Sequence, residues 1–158
     1  MEKLARQVGE ALRTGKEFLV TAESCTGGWA AQAVTAIAGS SAWFERGFVT
    51  YSNEAKHEML GVREETLNRY GAVSEETARE MAEGALAHSR GTVALSVTGI
   101  AGPGGGSAAK PTGTVCFAWA RKGGPARSET RLFSGDRESV RRQSVVHALE
   151  GVLALLKD

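Results

Sequence analysis

A chain of 158 residues with 42% hydrophobic content is long enough for one core, burying roughly 68–70% of the surface that its unfolded form exposes. Its 19 basic and 18 acidic residues leave a formal net charge of +1, so no global field draws it to nucleic acid or to an anionic membrane. The charged N-terminus MEKLARQVGEALRTGKEF lacks the apolar centre of a secretory signal, and no run approaches the ~20 residues of a membrane span; the expected location is cytoplasmic.

Leu4, Val8, Ala11 and Leu12 recur at helical spacing and predict an amphipathic helix ending before Gly15. "EFLVTAE" reads as a buried strand, followed after a short turn by an alanine-rich helix from Gly28 to Ile37. "ERGFVTYS" reads as a second strand closed by Tyr51, and "NEAKHEMLG" as a helix with Asn53 as N-cap and Lys56 in its first turn. "GAVSEETAREMAEGALAHS" has Ser74 as a cap, with Ala78, Met81, Ala82, Ala85 and Leu86 on one face. The continuous apolar run "TVALSVTG" fits a strand covered on both faces. It empties into "IAGPGGGSAAKPTG", whose five glycines and two prolines predict a loop. "GTVCFAWARK" and "ARSETRLFS" form a hairpin pattern around "GGP". Asp136 then caps a long helix with Val145, Leu149, Val152 and Leu156 as its apolar stripe. With no repeat or linker, residues 1–158 read as a single layered α/β domain with a mixed sheet.

The glycine loop does not carry the dinucleotide fingerprint, and Lys110 lacks the context of a P-loop, which argues against a nucleotide triphosphatase. The loop is either a cradle of backbone N–H groups for a phosphate or oxyanion, or a flexible connection. His57, His88 and His147 are scattered without ligand spacing, so a metal site is not expected, and His147 suits a partly buried structural role. Asp136 and Asp158 are the only aspartates, which removes the commonest serine-hydrolase triad.

"TAESCTGGWAA" places Ser24, Cys25 and Thr26 where a strand hands over to a helix. Ser24 there is either a nucleophile beside helix N–H groups, or Ser24 or Thr26 is simply the helix cap. A nucleophilic serine needs a base, and Lys56 is the candidate. It would have to be neutral, its pKa falling from roughly 10.4 toward about 7–8 by burial or by the helix N-terminus; otherwise it is a solvated surface lysine. Tyr51 either relays the proton or packs as the end of a strand. Cys25 is either a reactive thiolate or an inert buried thiol, and both cysteines, Cys25 and Cys116, are expected to be reduced.

"TAESCTGG", "GSSAWFERGFVTYSNEAKHEMLGV", "GAVSEETAREMAEGA", "VTGIAGPGGGSAAKPTGTV" and "FSGDRESVRRQSVVHAL" together resemble, in order from about Leu4 to Leu155, the C-terminal domain of the CinA competence/damage-inducible proteins, also known as the nicotinamide-nucleotide amidohydrolase family. The resemblance implies a three-layer α/β/α fold with a mixed, mostly parallel sheet. It implies hydrolysis of the carboxamide of nicotinamide mononucleotide to nicotinic acid mononucleotide and ammonia, a step of pyridine nucleotide salvage, without metal or organic cofactor. Ser24 would be the nucleophile, Lys56 its base and Tyr51 an assisting group. Thr26, Gly27, Gly28, Ser41, Thr98, Gly99 and Gly102 would line the substrate site, and Arg137 and Arg141 would meet the phosphate. The alternative is a catalytically silent nucleotide-binding module; a third reading is a Cys25-dependent amidase. A homo-oligomer is the expected assembly.

Overall fold

The computed structural model describes residues 1–158. In chain order the elements are α1 (Glu2–Thr14), β1 (Leu19–Glu23), α2 (Trp29–Thr35), a 3-10 turn (Ser40–Ala42), β2 (Phe44–Val49), α3 (Asn53–Leu60), α4 (Glu64–Tyr70), α5 (Glu75–Ala87), β3 (Val93–Gly99), β4 (Thr114–Arg121), β5 (Arg127–Leu132) and α6 (Arg137–Leu156). No helix is long and apolar enough to cross a membrane.

The sheet order is β2-β1-β3-β4-β5. β1 pairs in parallel with both β2 and β3, while β4 runs antiparallel to β3 and β5, so the sheet is mixed as expected but with as many antiparallel pairings as parallel ones rather than mostly parallel. The β1 to β2 connection carries α2, and the return from β2 across β1 to β3 carries α3, α4 and α5. Two crossovers moving in opposite directions must lie on opposite faces if both are right-handed, and this places one helical layer on each side of the sheet.

Strand side chains alternate between the two layers. Leu19, Val93, Leu95, Val97, Val115, Phe117 and Trp119 pack with α1, α2 and α6. Val20, Ala22, Ala94, Cys116, Ala118 and Ala120 pack with α3, α4 and α5. The second face is mostly alanine, and α5 meets it with Ala78, Ala82 and Ala85, so helix and sheet approach closely. On the first face Trp119 donates its indole N–H to the Ala148 carbonyl (2.9 Å), and His147 pairs with Glu129 (2.7 Å), the structural role expected of it.

Three local expectations are corrected. β2 ends at Val49, so Tyr51 lies beyond the strand rather than closing it. Ser52, not Asn53, caps α3, because its backbone is extended and its hydroxyl accepts the Ala55 N–H at 3.0 Å. The seven-residue α4, too short to show a period, was not expected. Its start is held from outside by Glu80, whose carboxylate accepts the Arg63 N–H and the Thr66 hydroxyl.

Gly84 of α5 lies directly against the Leu60 carbonyl at the end of α3, where a Cβ would overlap the backbone. Gly84→Ala is therefore expected to push α3 outward at a cost of about 1–3 kcal/mol, or about 2–4 °C of Tm per kcal/mol for a chain of this size. Thermal unfolding checks this, and an unchanged Tm contradicts the close packing.

Candidate active site

The three parallel strands end side by side, and the residues just beyond them meet. Ser24 follows β1 and donates its N–H to the Val97 carbonyl of β3 (2.9 Å), while the Thr50 N–H beyond β2 reaches the Glu23 carbonyl (2.8 Å). Chain direction diverges here between β1 and β3, which is where open α/β sheets bind ligands.

Lys56 projects from the first turn of α3 into this junction and is only 1% exposed. Its Nζ is 3.0 Å from the Ser24 Oγ and 3.0 Å from each of the Thr50 and Tyr51 carbonyl oxygens. No carboxylate joins this set, and burial pushes the Lys56 pKa below the ordinary lysine value. Nζ donates to both carbonyls and to the Ser24 hydroxyl, which itself lies 3.4 Å from the Tyr51 carbonyl; loss of one proton would leave a lone pair facing Ser24. The solvated-lysine reading is thereby excluded.

The cap reading of Ser24 and Thr26 also fails. Gly28, at a φ of 102° that favours glycine, is the residue preceding α2, and no side chain of the turn caps it. That task falls to Glu23, fully buried, whose carboxylate accepts the Ala30 and Ala31 N–H groups at 2.8 and 3.0 Å and the Thr26 hydroxyl at 2.6 Å. Glu23 was missed by sequence reasoning, although a lone carboxylate ending the buried strand "LVTAE" beside a helix start was its signal. With that side chain engaged, Ser24 is left to face Lys56.

Cys25 is buried, and desolvation pushes its thiol up to about 12, so it is no thiolate at neutral pH. The cysteine-nucleophile reading is not supported. Within the turn, the Gly27 N–H bonds back to the Ser24 carbonyl (3.1 Å), whereas the Cys25 and Thr26 N–H groups have no acceptor in the protein.

A cavity of about 290 Å³ opens on this pair, lined among others by Ser24, Lys56, Thr98, Gly99, Gly102 and Arg137. Thr98 is held by a 2.8 Å bond from its hydroxyl to the Ala72 carbonyl. Gly102, at a φ of 89°, stands where a Cβ would strike Thr112, and its carbonyl accepts from Arg137 at 2.7 Å. The glycine loop is thus tied to α6 at the cavity wall. A larger hollow of about 700 Å³ between α4, α5 and the β4–β5 edge holds Arg69, Glu75, Arg79 and Lys110 but neither Ser24 nor Lys56.

Several expected site residues are placed differently. Ser41 is exposed in the 3-10 turn before β2, at the opposite end of the sheet from the strand ends that hold Ser24. Thr26 is fully buried with its hydroxyl on Glu23, and Gly27 and Gly28 shape the turn without lining the cavity. Tyr51 does line the cavity, but its side chain is largely exposed (63%) with its hydroxyl 3.4 Å from Arg137, and its contact with Lys56 is made by the backbone carbonyl. Arg141 lies outside the cavity, donating to the Cys25 and Thr26 carbonyls.

The CinA C-terminal domain family model matches residues 1–156. The nicotinamide-nucleotide amidohydrolase PncC of Escherichia coli strain K12 is 59% identical over 148 residues, covering 94% of this chain and 90% of its own. A protein of the same name from Pseudomonas putida is 53% identical over 152 residues, covering 96% and 94%. The crystal structure of the competence/damage inducible protein CihA from Agrobacterium tumefaciens superposes with a TM-score of 0.95 at 49% identity, covering 99% of this chain and 95% of that one. The chain belongs to the CinA C-terminal domain family.

Proposed function

We propose that this protein hydrolyses the carboxamide of nicotinamide mononucleotide, giving nicotinic acid mononucleotide and ammonia, through a Ser24–Lys56 pair. The observation that carries the reading is the buried Lys56 amine 3.0 Å from the Ser24 hydroxyl; the names of the PncC relatives supply the substrate.

In the proposed reaction, Ser24 Oγ attacks the carboxamide carbon while neutral Lys56 takes the hydroxyl proton. The carbonyl oxygen becomes an oxyanion, and the unpartnered Cys25 and Thr26 N–H groups are its natural donors. Lys56 then returns the proton to the departing nitrogen, ammonia leaves, and a nicotinoyl ester remains on Ser24. Water attacks that ester with Lys56 again accepting the proton, and cleavage restores the Ser24 hydroxyl. Apart from the attacking water, the proton transfers in this scheme run through Ser24 and Lys56. Arg137, at the cavity wall, is the cation placed to meet the phosphate of the nucleotide. The product, nicotinic acid mononucleotide, would re-enter pyridine nucleotide salvage.

Ammonia release from nicotinamide mononucleotide tests the pair: Ser24→Ala is expected to fall to background, and Lys56→Ala to lose about 10²–10⁴ in kcat. Full activity in either variant contradicts the mechanism. Activity is also expected to rise with pH as Lys56 loses its proton, along a curve centred below the ordinary lysine pKa.

The same burial has a stability consequence. Between the lowered folded pKa and the unfolded value of about 10.4, the unfolded chain binds more protons, so the wild type gains stability as pH rises through that window. Lys56→Met fills the space without a charge, so it is expected to melt higher than the wild type near neutrality, with the gap closing toward pH 10. A variant that melts lower at every pH would show that Lys56 is not held at a cost.

Arg137→Ala is expected to raise KM for the nucleotide roughly 10–100-fold and to leave KM for nicotinamide riboside near that of the wild type. Equal changes for both substrates would remove Arg137 from the phosphate.

A further inference from the structure

Arg141 stands on α6 one helical turn after Arg137, but it faces a different target. Its Nε donates to the Cys25 carbonyl at 3.0 Å and its Nη2 to the Thr26 carbonyl at 3.1 Å. The Trp29 ring lies beside the guanidinium, 5.4 Å from ring centroid to the central carbon. A planar fork that spans two successive carbonyls fixes both peptide planes, which a single ammonium does not.

The consequence follows from peptide geometry. The Cys25–Thr26 bond is trans, the one cis bond of the chain being Gly102–Pro103. In a trans peptide the carbonyl and the following N–H point in opposite directions. Drawing the Cys25 carbonyl onto Arg141 therefore turns the Thr26 N–H away from α6. The next plane is fixed likewise, with the Thr26 carbonyl on Arg141 and the Gly27 N–H returned to the Ser24 carbonyl. That last bond sets the Ser24–Cys25 plane and so the direction of the Cys25 N–H. From the other flank, Glu23 holds the Thr26 hydroxyl at 2.6 Å.

We infer that Arg141 is a positioning residue for the oxyanion donors: its fork on the Cys25 and Thr26 carbonyls aims the N–H groups beside Ser24, and it does not bind the substrate phosphate. The inference rests on the amidohydrolase reading and departs from the phosphate role that the family resemblance suggests for Arg141.

The test compares Arg141→Lys with the wild type and with Arg142→Ala, an exposed neighbour whose guanidinium also lies over the Trp29 ring (5.0 Å) but bonds Glu138 and not the turn. It measures kcat and KM on nicotinamide mononucleotide and on nicotinamide riboside. It also measures the rate at which a small fluorophosphonate labels Ser24, a reaction that builds negative charge at the same donors without using the pyridine substrate. Arg141→Lys is expected to lower kcat about 10–100-fold on both substrates, to leave both KM values near wild type, and to slow labelling by a similar factor; Arg142→Ala is expected to match the wild type. A rise in KM for the nucleotide alone, with kcat and labelling unchanged, overturns the inference in favour of a phosphate site, and no change in any readout overturns it outright. If the wild type releases ammonia from neither substrate, the amidohydrolase reading fails. The labelling rate then decides the clamp by itself, slowed in support and unchanged against. Should Arg141→Lys melt too low to assay, Arg141→Gln, which keeps a planar donor but loses the fork, gives the same discrimination.

Discussion

An amine buried without a counter-ion is the constraint on which the site depends. Lys56 Nζ has three oxygen neighbours at 3.0 Å, two backbone carbonyls and the Ser24 hydroxyl, and none carries a formal charge. Burying an ammonium in that setting is costly, and the charge is the part that can be given up. With the amine neutral, the remaining lone pair has one partner, the Ser24 hydroxyl. When the amine is protonated, that hydroxyl can turn instead to the Tyr51 carbonyl, 3.4 Å away. In the proposed mechanism desolvation, rather than a neighbouring histidine, is what would make a base of Lys56, and the same burial raises the thiol of Cys25.

The fold supplies this environment because three parallel strands end together. β1 delivers Ser24, β2 delivers the Thr50 and Tyr51 carbonyls, and β3 delivers Thr98. α3 carries Lys56 inward, and its position is fixed by close approach to Gly84 of α5. α6 closes the other side, with Arg137 on the Gly102 carbonyl of the glycine loop and Arg141 on the nucleophile turn. α6 thus holds both the glycine loop and the turn after β1, and in the proposed mechanism this fixes the N–H groups that would face the oxyanion.

Strand and helix order was legible in the sequence because apolar periodicity and glycine punctuation mark them directly, as in "TVALSVTG" and the glycine loop that follows. Ser24 and Lys56 were legible as residue types at informative turns, but their meeting depends on β1 and β2 being neighbours, which no local pattern reveals. Glu23 was overlooked because a carboxylate at the end of a buried strand gives no periodic signal; its meaning lies in the helix start that folds back onto it. Ser41 was misplaced because a motif match does not report which end of a parallel strand a residue occupies. Tyr51 was credited with its phenol, whereas its contact with Lys56 is made by a backbone carbonyl that every residue possesses. Arg141 followed Arg137 by one turn and looked like its partner, yet rotation along the helix directs it to the turn instead of the cavity.

The central claim, that burial beside Ser24 lowers the Lys56 pKa and so suits its amine to take the Ser24 proton, is tested most directly by following the lysine side-chain resonances through a pH titration by NMR, with Lys56→Met identifying the Lys56 signal. This signal is expected to titrate below the ordinary lysine value of about 10.4. A Lys56 signal that titrates at or above that ordinary value would contradict it, because an ammonium cannot accept the Ser24 proton.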